Sequence, residues 1–326
     1  MVTFLAGGTG TPKVLWGAGS VFDLANATVI ANTGDDIVLG SLFVSPDVDS
    51  VLFERSARID RERWWGIAED GTTTTTQLAT LARKVDIDPA PTRVDPTDER
   101  PEAWRRFRAV PEFMTIGERD RAHHLVRSEL LARGHTLTAA TRALADAYDV
   151  DCTVLPMSDD PVVSIIETPT GRMHFQEYWV AAQGNPAVDA VTFLGADRAR
   201  ASTAVHRALD APVVIGPANP ITSIGPMLAI DDISLALEQT PVVCVSPFIE
   251  DEVFSGPAGA LMSAAGYDAS TAGLEAALPM VDAFVLDESD HTQIDRTVVY
   301  TDTHIESKAD ATRVAAACAD ALTEVQ

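Results

Sequence analysis

The chain has 326 residues, 46% of them hydrophobic, and its 48 acidic against 24 basic residues give a formal net charge of −24. That length and apolar content support a packed core of one large or two modest domains and exclude a disordered or fibrous chain. So negative a field also excludes binding to a nucleic-acid backbone, which needs clustered Lys and Arg.

Only Lys13, Lys84 and Lys308 are lysines, and the acids are dispersed along the whole chain. This reads as a halophilic surface rather than a local acidic patch for a partner. No run of about twenty apolar residues and no charged leader is seen, so the expected location is cytoplasmic, without a membrane partner. Cys152, Cys244 and Cys318 are far apart and in no Cys-x-x-Cys spacing, as expected of small buried hydrophobes.

Val2 to Ala6 carries no charge and reads as a buried parallel strand. Gly7, Gly8 and Gly10 then let the backbone turn tightly against a ligand, and Pro12 suits the first turn of a helix over about 12–24. The free N–H groups of that helix start, with Lys13 beside them, form an anion site. The spacing matches neither the dinucleotide fingerprint nor the P-loop, so the turn alone reads equally as a ligand loop or a plain βα connection.

A second strand over 27–32 leads into a loop with Asn32, Asp35 and Asp36, giving a β-α-β start with ligand groups at strand carboxyl ends. Ser45-Pro-Asp47-Val-Asp49 precedes an apolar-periodic segment from Val51 to Ile59, so both aspartates fall in a helix's first turn, with Asp47 as cap. The stretch from about 86 to 112, rich in Pro, Asp, Glu and Arg, reads as a surface excursion. Residues 121–133 and 137–148 have helical periodicity, which makes about 60–150 a helical insertion within one domain spanning 1–326.

Thr153 to Met157 resumes a strand, and 162–167 with 173–180 reads as a β-hairpin around Pro169-Thr-Gly171. Apolar strands over 190–194, 212–215 and 242–246 each lead into a loop and a helical stretch; 284–287 is another strand and 308–325 a terminal helix. The expected fold is α/β: a Rossmann-like, mostly parallel sheet with flanking helices, a helical insertion and a β-hairpin.

Asp35, Asp36, Asp47 and Asp49 offer hard oxygen ligands of the kind that suit Mg²⁺, although an acidic surface also scatters Asp without function. The loop Gly216-Pro-Ala-Asn219-Pro-Ile-Thr222-Ser223-Ile-Gly-Pro226 follows an apolar strand and is rigid enough to hold a diphosphate or nucleoside. The loops 156–161 and 246–259 are similar. Trp64 and Trp65 read either as a stacking pair or as core. His123, His124, His174 and His291 show no His-x-x-x-His or Ser/His/Asp pattern, so none is assigned to metal or nucleophilic catalysis. Glu118, Arg119 and Asp120 are site candidates on charge density alone, and a solvated helix start explains them equally.

Taken in order, Gly7-Gly-Thr-Gly-Thr-Pro-Lys13, Asn32-Thr-Gly-Asp-Asp36, Ser45-Pro-Asp-Val-Asp49, Arg63-Trp-Trp-Gly-Ile67, Gly117-Glu-Arg-Asp120, Leu155-Pro-Met-Ser-Asp-Asp-Pro161, His174-Phe-Gln-Glu177, Gly216-Pro-Ala-Asn-Pro220, Ser223-Ile-Gly-Pro226 and Ser255-Gly-Pro-Ala-Gly259 form a specific set. The set resembles the 2-phospho-L-lactate transferase (CofD) family of coenzyme F420 biosynthesis over nearly the whole chain. The acidic, lysine-poor composition fits a haloarchaeal member.

The resemblance implies a Mg²⁺-dependent transfer of a phospholactyl group from lactyl-2-diphospho-5′-guanosine to the deazaflavin Fo, with release of GMP, by a homodimer. It also implies Fo contacts at Asp49 and Thr115; Glu118 stands where the family more usually has Asp. With it, Asp35 and Asp49 become the catalytic carboxylates, and with Asp36 or Asp47 they hold Mg²⁺ and orient the hydroxyl. Gly7, Gly8, Thr9, Gly10, Thr11 and Lys13, with Asn32, Asn219 and Ser223, hold the diphosphoguanosine. The general base and the three-carbon acid of the donor stay open. A nicotinamide-dependent oxidoreductase is disfavoured by the missing fingerprint. A non-catalytic nucleotide-sugar-binding regulator of a related family is the alternative, against which Met157-Ser-Asp-Asp-Pro161 and the Asn219 loop weigh.

Overall fold

Val2–Ala6 (β1) is buried at every position, as a parallel strand covered by helices on both faces must be. In the computed structural model, which describes residues 1–88, 90–110, 112–250, 252–253 (backbone alone) and 258–325, β1 lies inside a seven-stranded sheet. The other strands in chain order are β2 (Ala27–Ala31), β3 (Ile37–Leu39), β4 (Leu42–Val44), β5 (Arg106–Phe107), β6 (Thr153–Pro156), β7 (Val163–Thr168) and β8 (Gly171–His174). They continue with β9 (Ala190–Leu194), β10 (Val213–Ile215), β11 (Val242–Val245), β12 (Phe248–Ile249), β13 (Glu252–Val253), β14 (Ala283–Asp287) and β15 (Thr297–Thr301).

The large sheet runs β15-β14-β11-β10-β1-β2-β6, and every neighbouring pair is parallel. From β1 the chain builds outward through β2 to β6 on one side, and later through β10, β11, β14 and β15 on the other. That reversal leaves a crevice between the carboxyl ends of β1 and β10, where open α/β sheets take their ligands.

Period-two alternation sends the strand side chains into two cores. Phe4, Val29, Val214, Val243 and Val285 face the helices Gly10–Ala18 and Lys308–Glu324. Leu5, Ile30, Ile215, Cys244 and Phe284 face the opposite layer with Met227, Ile233 and Leu274. The first helix ends at Ala18, short of the expected 12–24, and packs closely on the terminal helix: a Cβ on Gly17 would lie 2.1 Å from the Thr312 backbone nitrogen.

Two smaller sheets flank the cleft side, β8-β7-β9 and β4-β3-β5. The expected hairpin exists, but its second strand stops at His174 and Glu177–Ala181 is a π-turn. Ala190–Leu194 pairs antiparallel with β7 rather than continuing the parallel series. The excursion 86–112 contains a one-turn helix, Pro101–Trp104, and β5, which pairs with β3. Thr297–Thr301, unforeseen from its half-exposed pattern, forms the sheet edge. Among the described residues no single helix is long and apolar enough to cross a membrane. Cys244 and Cys318 are buried and all three thiols are free.

Candidate active site

A cleft of about 490 Å³ occupies the crevice. Gly7, Gly8, Thr9, Gly10 and Lys13 form one wall, and Pro217, Ala218, Asn219, Thr222 and Ser223 the facing one. Asp35, Asp47 and Asp49 lie between them; Trp65, Met114, Thr115, Asp120 and His124 close one end, and Pro247, Thr303, His304 and Ile305 the other.

The two glycine walls touch backbone to backbone. A Cβ on Gly10 would fall 1.8 Å from the Pro217 carbonyl oxygen, and one on Gly7 2.5 Å from Ser223 Cβ. Asp47 does not cap its own helix, Pro46–Arg55: its Oδ1 accepts from the Gly8 N–H at 2.8 Å and its Oδ2 from Asn32 Nδ2 at 2.9 Å. Asn32 also donates to the Thr222 carbonyl at 3.3 Å, so it clamps the two loops together from behind the cleft rather than lining it. Thr11 likewise turns inward and donates to the Leu5 carbonyl at 2.9 Å. Lys13 forms no ion pair among the described residues; it lies 5.8 Å from the Trp64 ring centroid, and burial lowers its pKa. A helix start with a lysine free of carboxylate partners is a cationic end for phosphate.

The helix Glu118–Ala132 supplies the facing groups. Its start is pinned by Asp70, which accepts from the backbone N–H of Arg119 and of Asp120 at 3.0 Å each, while Glu118 accepts from the Thr74 N–H and hydroxyl at 2.8 Å each. Of that charged triplet, only Asp120 reaches the cleft. One and two turns on, His123 and Arg127, both buried, reach Asp49. Arg127 Nη1 donates to Asp49 Oδ2 at 3.0 Å and Nη2 contacts Oδ1; His123 Nε2 lies 2.8 Å from Oδ1 and its Nδ1 3.1 Å from the Tyr148 hydroxyl. Burial is the largest single influence and would raise the Asp49 carboxyl, but the Arg127 guanidinium and His123, by charge and hydrogen bonds together, outweigh it and hold the carboxyl well below the usual carboxylate range.

The other aspartates behave oppositely. Burial, then the neighbouring Asp47 charge, raises Asp35 well above its ordinary value, and its Oδ1 has no hydrogen-bond partner. Burial pushes Asp47 up to about 6 against the bonds from Asn32 and Gly8. Burial pushes Asp36 up to about 8; it is not part of the cleft lining and accepts from Ser45 Oγ at 2.6 Å. Three of the four expected aspartates, Asp35, Asp47 and Asp49, line the cleft and Asp36 sits outside its lining, though neighbouring aspartate charges act on Asp35, Asp36 and Asp47. Asp35 and Asp47 are crowded carboxylates on the cleft, with an orphaned oxygen, which fits a hard divalent cation such as Mg²⁺. Asp49, His123 and His124 also lie within ligating distance of one another, but the Arg127 guanidinium already occupies that carboxylate with positive charge.

The Trp pair divides: Trp64 packs edge-on against Trp16 at 5.5 Å in the core, while Trp65 is 44% exposed in the cleft. The loop 156–161 sends no residue to the cleft lining, and of Ser255–Gly259 positions 255–257 lie outside the described residues.

Doubly wound topology with a cleft at its switch point defines a Rossmann-like α/β protein. The chain belongs to the family described as 2-phospho-L-lactate transferase CofD, whose model matches residues 2–323. It is similar to the 2-phospho-L-lactate transferases of Halobacterium salinarum (57% identity, 99% of this chain, 98% of the relative) and Haloarcula marismortui (58%, the full length of both). The enzyme of that name from Methanosarcina acetivorans is 39% identical over 88% of this chain and 85% of its own length. The crystal structure of a UPF0052-family protein from Bacillus halodurans superposes with a TM-score of 0.60 over 98% of each chain at 14% identity, a likeness of fold alone.

Proposed function

We propose that this chain moves the 2-phospho-L-lactyl group from lactyl-2-diphospho-5′-guanosine to the deazaflavin Fo, giving the first F420 form and GMP. The observation that carries the reading is one cleft that joins a cationic glycine loop to a row of buried carboxylates. The family name and the relatives' shared name support the transferase class.

The helix start and Lys13 take the diphosphate, and Asn219 and Ser223 the adjoining nucleotide, with guanosine toward Thr303–Ile305. Fo lies toward Trp65 and Thr115, where an exposed indole offers a flat ring a stacking face. Asp35 and Asp47 hold Mg²⁺, which when bound offsets charge on the nonbridging phosphate oxygens. Asp49, oriented by Arg127 and His123, accepts a hydrogen bond from the attacking ribityl hydroxyl and aligns it with phosphorus.

Mg²⁺ at about a hundred times its dissociation constant is expected to stabilise the protein by about 2.7 kcal/mol. Thermal melts should show the rise in the native protein and lose it in Asp35→Asn; an equal rise in both contradicts the metal assignment. Asp49→Asn tests the acceptor end. Titrations followed by Fo fluorescence should show weakened Fo binding with GDP binding unchanged, and unaltered Fo affinity and turnover together would overturn the assignment.

A further inference from the structure

His124 has no role in the reading so far, yet it is built into the cleft. The side chain is 2% exposed, lines the cleft, and has an Nδ1 without a hydrogen-bond partner. Its Nε2 lies 3.1 Å from Asp120 Oδ1, one turn earlier on the same helix, but off hydrogen-bond alignment, so that oxygen too is unpartnered, and Nδ1 lies 3.6 Å from Asp49 Oδ2. His123 packs edge-on against the ring, centroids 5.5 Å apart. A buried polar atom left unpaired costs stability. Its retention on a cleft wall points to a ligand atom that completes it, and a hydroxyl seated between Asp49 Oδ2 and Nδ1, 3.6 Å apart, can turn its one proton from the carboxylate to the imidazole. Asp49 itself is engaged by a buried guanidinium, which disfavours its taking a proton.

We propose that His124 is the proton acceptor for the attacking hydroxyl, with Asp120 as the positioning residue that holds the ring; this rests on the transfer reading above. The hydroxyl O–H bond breaks as its oxygen bonds to phosphorus, and the proton passes to Nδ1. The electron pair of the cleaved P–O bond leaves on the phosphate of GMP, and the imidazolium returns its proton to water after release. The two groups approach the arrangement in which a carboxylate orients an imidazole that serves as base, and a small turn of the ring toward Asp120 Oδ1 completes it when substrate binds.

The test compares kcat for Fo and the lactyl donor with separate affinities for Fo and for GDP. His124→Gln should lower kcat about 100-fold with both affinities unchanged. Added imidazole should restore turnover to His124→Ala in a dose-dependent way. Asp120→Asn should lose less, and the double variant with His124→Gln should be no slower than His124→Gln alone. Wild-type turnover by His124→Gln overturns the inference, as does an unrescued His124→Ala that loses affinity along with rate. If the unaltered enzyme transfers nothing from any diphosphoguanosine donor, the transfer reading falls and this inference with it.

Discussion

Arg127→Met is expected to destabilise the protein by about 3–5 kcal/mol at neutral pH, the cost of leaving a buried carboxylate without its cation. Arg127 and Asp49 are both buried, and among the described residues no other Lys or Arg pairs with that carboxylate, whose one further side-chain partner at hydrogen-bond distance is His123. The pH dependence follows from the sign of the Asp49 shift. Its folded carboxyl is held below the unfolded value, so the pair's stabilisation is present above about pH 4 and lost as pH falls through the folded value. In Arg127→Met burial, the largest influence, is opposed by His123 without the guanidinium, and the carboxyl rises. The variant then loses stability as pH climbs above about 4, and its deficit against the native protein widens from acid to neutral. Molar salt should leave the deficit in place, since a buried pair is screened far less than a surface one. Denaturation curves from acid to neutral pH measure this; equal neutral stability of the two proteins would contradict the pairing.

Gly10→Ala is expected to cost activity more than stability. The added carbon has a carbonyl oxygen 1.8 Å away, and both partners are backbone, so the loops after β1 and β10 must separate. Overpacking of this kind costs about 1–3 kcal/mol. A displacement near 1 Å between groups that hold one substrate can cost about 100-fold in rate. The expected result is a cooperatively folded variant whose kcat/KM for the donor falls about 100-fold. Native kcat/KM would show that the two loops do not hold the donor jointly.

Much of this fold is written in the chain as local pattern. The uncharged runs at β1, β2, β10 and β11 and the apolar run of β14 before Asp287 read as buried strands, and Pro46 and the 137–148 periodicity set helices where they are found. β15 was not legible because it lies at the sheet edge, where Thr297, Val298 and Val299 meet solvent on one side and show no clean alternation. β9 was readable as a strand but not as a partner of β7, since register across sheets is a tertiary choice. The site divides in the same way. The glycine loop and the aspartates announce themselves by type and spacing, whereas Asn32 and Thr11 turned out to serve the loops from behind. His123, His124 and Arg127 were invisible as site residues because their partner Asp49 lies on a different helix. The signal that could have found them is the pairing of Asp120 with His124 and of His123 with Arg127 at four-residue spacing, which puts acid, imidazoles and guanidinium on one helical face.

The central claim is tested most directly by incubating the purified protein with Fo, synthetic lactyl-2-diphospho-5′-guanosine and Mg²⁺, and identifying the products by mass spectrometry. The account predicts equal amounts of GMP and a deazaflavin carrying the phospholactyl group as a phosphodiester. Intact Fo with no phosphodiester, from this donor or its phosphoenolpyruvyl and phosphoglyceryl counterparts, would contradict it.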